Sequence, residues 1–208
     1  MAATPPCYPA GAAATLFPLP GDAQWIARLP RHGLLRASFI PDRDQRELRE
    51  LTRYRTALIH ERSVEVNRLQ KTLEGANIKL AGVASDVTGT SKREMLAGLV
   101  AGETDGAVLA EYACGHMRAK LPQLQHALEG SVRPHQRFLL AQQLSHIEDL
   151  DDAIAQVSAK VARRLAPFEA VLERLDAIPG VGRRTAEIVL AEIGTDMSLF
   201  PSAGHLAA

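Results

Sequence analysis

From Pro134 to about Leu165 the sequence has room for one long helix and for little else. Leu140, Ile147, Leu150, Ile154, Val157 and Val161 fall at a and d positions of a heptad, and Gln143 fills the missing one. A stripe that narrow buries itself best against another helix. The same chain offers one: Asp42 stands as an N-cap before a helix from about Arg43 to Leu73, where Leu48, Leu51, Leu58, Val66, Leu69 and Leu73 keep a spacing of mostly three and four. The pattern fits an antiparallel pair within the chain and a coiled coil with a second copy equally well. Arg53, Arg55, Arg62 and Arg68 read as available cations on the flanks of the first helix.

The remaining segments are short and also helical. Lys92 to Ala101, Thr104 to Met117 and Leu121 to Leu128 read as a small cluster of three helices, separated by Gly102 and by Lys120-Leu-Pro and closed by Gly130. Gly75, Gly82 and Gly89 mark looser structure, with Thr88-Gly-Thr-Ser as a turn. Residues 1–21 are rich in Ala and Pro, carry no signal-peptide pattern and read as disordered. Asp22 then caps a short amphipathic helix bearing Trp25, Ile26 and Leu29, which Pro30 cuts. Leu34 to Ile40 reads as a short strand or a linker. The expectation is an all-α chain of long coiled-coil-like helices, a short helical cluster and a C-terminal helix-hairpin-helix.

That hairpin lies in Leu175 to Gly194. A first helix through Phe168, Val171, Leu172 and Leu175 ends at Pro179, and Gly180 and Gly182 permit a sharp reversal. Ala186, Val189, Leu190 and Ile193 then face back on it. A reversal of this kind presents bare amides at the start of the second helix, where partial positive charge can hold a phosphate oxygen. The residues for such a contact are Gly180, Val181, Gly182, Arg183, Arg184 and Thr185. Amides and arginines of this sort position a sugar-phosphate chain without reading its bases. The same glycines equally suit a plain helical hairpin in which they only make the turn.

Composition narrows the classes. The 208 residues carry 24 basic and 24 acidic side chains, so net charge neither demands nor excludes nucleic acid. Distribution is uneven: Arg28 to Lys71 holds eleven Lys or Arg against six Asp or Glu, whereas Phe168 to Ala208 has more acids than bases. Two cysteines, Cys7 and Cys114, lack metal or disulfide spacing, and the seven histidines are scattered, which points to a reduced, cytoplasmic protein. No apolar run approaches the ~18 residues of a membrane span.

With these residues assembled, the chain from Asp22 onward resembles transposases of the insertion sequence one-ten family. The resemblance rests on Asp22-Ala-x-Trp-Ile-Ala-x-Leu, Arg31-His-Gly-Leu-Leu-Arg, Glu47-Leu-Arg-Glu-Leu-Thr-Arg-Tyr-Arg, Asn67-Arg-Leu-Gln-Lys-x-Leu-Glu-Gly-Ala-Asn-Ile-Lys-Leu, Arg137-Phe-Leu-Leu and Ile178-Pro-Gly-Val-Gly-Arg-Arg-Thr-Ala-Glu. It implies DNA transposition, a RuvC-like nuclease domain with four metal-binding acids, a coiled coil and a C-terminal transposase domain with a nucleophilic serine. Mg2+, DNA, a guide RNA and a homo-oligomer formed through the coiled coil are implied with it.

Mapped onto that pattern, residues 1–21 form a disordered segment, 22–41 the end of the nuclease domain, 42–167 the helical coiled-coil region and 168–208 part of the transposase domain. Asp22 matches the last acid of the tetrad, and the preceding acid is replaced by Leu19. The expectation is therefore a fragment truncated at both ends, with Asp22 a catalytic remnant that would bind metal only beside the missing acids. Metal chemistry on a phosphodiester needs several carboxylates, so this chain alone should neither cut nor join DNA. The alternative is a non-catalytic adaptor or antitoxin-like module that binds nucleic acid through its hairpin.

Overall fold

The computed structural model describes residues 20–34, 40–83, 89–200 and 202–207, and it divides into two units, Met1–Pro41 and Asp42–Ala208, each taken here by itself. The expected disorder of residues 1–21 lies outside the described residues except at Pro20 and Gly21, where it is corrected, since both begin a helix. The choice between strand and linker for Leu34 to Ile40 lies outside them at 35–39, as does Thr88 of the expected turn. Among the described residues every regular element is helical.

In the first unit, helix α1 spans Pro20–Arg31. Two further expectations are corrected there. Asp22 lies inside the first turn and is not the N-cap, although an acid there still faces the positive end of the helix dipole. Pro30 lies within the helix and does not cut it at Leu29. In the last turn a proline forfeits one bond and obstructs no further turn, so it is tolerated. The helix closes when the amide of Leu34 donates to Leu29 O and that of Gly33 to Pro30 O, a Schellman ending.

The second unit is built on α2 (Arg43–Gly75) and α7 (Pro134–Leu165), 33 and 32 residues long. At 1.5 Å per residue each extends roughly 50 Å. The Asp42 carboxylate caps α2 by accepting from the amide of Gln45 at 2.8 Å. At the other end Asn77 adopts φ 61, and the bonds from Ile78 N to Leu73 O and from Asn77 N to Glu74 O close the helix. The helix thus runs through Gly75, where the sequence suggested loosening, and Asn77 is the residue that ends it. Asparagine tolerates the left-handed conformation better than other side chains.

α2 and α7 pair antiparallel within the chain: Glu47 meets Arg164, Arg62 meets Asp151, and Gly75 lies near Gln136. Leu140, Ile147, Leu150 and Val161 of the heptad are buried, while Ile154 and Val157 are half-buried. Of the two pairings the spacing allowed, the intramolecular one fills this seam.

Between the long helices come α3 (Leu80–Val83), α4 (Thr90–Ala101), α5 (Gly106–Ala110), a 3-10 turn (Gly115–Lys120) and α6 (Leu121–Ala127). The single helix expected from Thr104 to Met117 is instead α5, an irregular stretch and the start of the 3-10 turn. Asp105 caps α5 at Ala107, which delays its start, and the chain then bends through Tyr112 to Gly115, where φ is 58. This cluster shares one core with the adjoining ends of α2 and α7, centred on Leu69, Leu73, Met95, Leu96, Leu109, Leu124 and Leu140. Gly130 is required there by space, since a Cβ would lie 2.4 Å from Ala76 O.

At the opposite end of α2 and α7 sits a second core: Leu48, Val161, Leu165, Leu172, Ala186, Leu190 and Ala191. It docks α8 (Glu169–Asp176) and α9 (Arg183–Ile193). A 3-10 turn at Met197–Leu199 and α10 (Ala203–Ala207) complete the described chain.

Candidate nucleic-acid interface

After α7 a 3-10 turn containing Pro167 redirects the chain into α8. Phe168 belongs to that turn and is 39 % exposed, so it does not lie on the buried face of the first hairpin helix as its spacing suggested. Leu172 is fully buried and anchors α8. The helix gives way at Ala177 and Ile178, whose amides still reach Glu173 O and Leu175 O, and a turn from Ile178 O to the amide of Val181 at 2.9 Å completes the reversal. Gly180 has φ +86, which L side chains avoid. Val181 tucks into the second core, while Ile178 stays 48 % exposed at the tip.

Gly182 is the N-cap of α9, with φ −81, ψ 166 and no side-chain cap. That backbone is open to any residue, and a Cβ there would meet no atom within 4 Å. The fold therefore does not need glycine at this position. Serine, threonine, asparagine or aspartate would hold α9's first amides; glycine leaves them bare and approachable.

The six residues expected at a phosphate contact are brought together by this turn, and all but half-buried Val181 are exposed. Their charges differ. Arg184 forms no ion pair among the described residues, whereas Arg183 places both terminal nitrogens on the Glu169 carboxylate and its Nε 3.5 Å from Glu187 Oε1. Hydrogen bonding from Arg183 holds the Glu169 carboxyl below the usual carboxylate range against opposing desolvation, and the arginine's charge adds to the lowering. Glu187 in turn accepts from Arg55 Nη1 at 2.7 Å.

The arginines expected to be free on α2 are committed. Arg55 is only 2 % exposed and paired to Glu187, Arg53 forks onto Glu192 at 2.8 Å, Arg62 pairs with Asp151, and Arg68 reaches Glu65. Arg49 donates to the carbonyls of Ala191 and Glu192. Glu169, Glu187 and Glu192 are thus the site's unforeseen members. A signal for them was present, because the basic excess of the α2 arm and the acidic excess after Phe168 are complementary.

Asp22, the expected catalytic and metal-binding remnant, is exposed on α1 in the first unit. Among the described residues no group of three or more His, Cys, Asp or Glu side chains could hold a metal ion. Magnesium keeps its waters unless several oxygens replace them, so Asp22 as it stands does not fit Mg2+.

A family model described as Transposase matches residues 20–78, and one described as Transposase IS116/IS110/IS902 family matches residues 172–208. The second begins in α8 and covers the whole turn. Together they define a transposase. The two matched stretches support an IS110-family transposase. No curated protein and no solved structure matches it. Among the described residues no helix is long and apolar enough to cross a membrane.

Proposed function

We propose that this transposase chain holds nucleic acid, DNA first and a guide RNA by the same phosphate chemistry, through the α8–α9 turn acting as a helix-hairpin-helix. Residues 168–208 belong to the transposase domain, 42–167 form the helical region that carries it, and 22–41 belong to the end of the nuclease domain. Gly182 carries the reading, since a glycine the fold does not require leaves α9's amides bare beside Arg184. Contact of this kind addresses phosphates, so binding is salt-sensitive and indifferent to sequence.

Gly182→Asp separates the two roles of the position. A capping carboxylate stabilises α9 by a few tenths of a kcal/mol relative to glycine but repels a phosphate from the same amides. Fluorescence anisotropy with short duplexes should show affinity falling for every sequence, while the urea midpoint holds or rises. Unchanged binding would place any nucleic-acid contact elsewhere. The proposal includes no strand chemistry by this chain alone, because Asp22 supplies one carboxylate where several are needed. Cleavage of supercoiled donor DNA with magnesium and guide RNA that vanished in Asp22→Ala would refute that part.

A further inference from the structure

We infer that Glu169 occupies the phosphate seat of Arg183, so that nucleic acid reaches this arginine only by displacing an internal carboxylate. The inference rests on the phosphate reading of the α8–α9 turn. Both terminal nitrogens of Arg183 face both oxygens of Glu169, the two-pronged geometry in which a guanidinium also receives a phosphate. The two residues lie on different helices, each at the first position of its own, and their pairing links α8 to α9. Arg183 is therefore satisfied before any ligand arrives, whereas its neighbour Arg184 forms no ion pair among the described residues. Both side chains of the pair are about half exposed, 42 % and 49 %, which keeps the contact weak enough to exchange.

Glu187 sets the direction of that exchange. Its Oε1 lies 3.5 Å from Arg183 Nε while its Oε2 is held by buried Arg55, so one edge of the Arg183 guanidinium stays near α9 when Glu169 lets go. Glu169 is then a competitor for the ligand, and Glu187 orients the arginine for it. Loss of Glu169 should strengthen binding, and loss of Arg183 should weaken it only where Glu169 no longer masks it.

The test is duplex binding by fluorescence anisotropy at several salt concentrations, with the full chain carrying Glu169→Gln, Arg183→Ala, both, or Glu173→Gln as a control for removing one negative charge from α8. Equal melting by circular dichroism establishes that each variant is folded. Glu169→Gln should raise affinity about two- to fivefold, the range of an exposed ion pair, and steepen the dependence of log affinity on log salt by about 0.9. Arg183→Ala should change the parent little and cancel the gain in the Glu169→Gln background. An equal gain in Glu173→Gln, or a loss from Arg183→Ala as large in the parent as in the Glu169→Gln chain, overturns the inference. Binding that is absent in every variant, or insensitive to Gly182→Asp, overturns the phosphate reading itself.

Discussion

Arg55 sits at a level of the α2–α7 seam where a leucine would satisfy the spacing. Its Nη1 meets Glu187, while its Nε and Nη2 are buried without a hydrogen-bond partner among the described residues. A buried ion pair of this kind contributes little net stability, because desolvating both charges offsets their attraction, yet removing one partner strands the other. Glu187→Ala should therefore cost about 3 kcal/mol or more, and Arg55→Leu with Glu187→Leu should recover most of it. Urea unfolding of the two variants and the parent checks this. A double variant as unstable as Glu187→Ala would show that packing, not the stranded guanidinium, carries the loss. The sequence could not disclose the pair: Arg55 lies in a run of arginines that reads as a solvated face, and only docking of α9 places an acid over one of them.

Among the elements, α9 shows how charge decides docking. Its C-terminal carbonyls carry the negative end of the helix dipole, and Arg49, together with Gln45, donates to them from the first turns of α2. Arg53 forks onto Glu192 nearby but is 67 % exposed. Arg49→Ala should cost about 1–2 kcal/mol, since a half-buried charged donor to backbone carbonyls is lost. Arg53→Ala should cost less than about 1 kcal/mol, as exposed pairs do. Equal shifts of the urea midpoint would count against capping as the larger effect. The long helices were legible because caps and apolar spacing act within a few residues: Asp42 and Pro134 announce the starts of α2 and α7, and the stripe follows. What was not legible depends on contacts distant in sequence. Ile154 is only half-buried on a stripe that marked it as seam, and Arg62 and Arg53 of α2 are taken up by acids some 90 to 140 positions away. The turn was visible for a third reason, since glycine and proline act locally.

Across the Asp42–Ala208 unit, arginine–carboxylate links tie the long helices to each other and to what packs on them. Asp151 of α7 receives Arg62 of α2 and Arg93 of α4; Glu192 of α9 receives Arg53 and Arg49 of α2; Glu47 of α2 receives Arg164 of α7 and its own neighbour Arg43. Burial alone would raise the Asp151 carboxyl, but hydrogen bonds and charge from Arg62 and Arg93 outweigh it and hold it below the usual range. Hydrogen bonding to Arg53 lowers Glu192 against opposing burial, and Arg164 followed by Arg43 lowers Glu47. Each group binds its proton more readily in the unfolded chain, so its contribution is fully present above the unfolded carboxyl values near 4 and is lost as pH falls through the lower folded values. Thermal unfolding followed by circular dichroism should therefore show a Tm that is set by these carboxylates as a plateau above about pH 5 and a decline below about pH 4. Asp151→Asn should lower the plateau and flatten part of the decline, because its amide keeps the shape but gives Arg62 and Arg93 no charge to lose. A Tm unchanged between pH 5 and pH 3, or a decline just as steep in Asp151→Asn, would mean that the apolar cores at the two ends hold the helices together without help from these links.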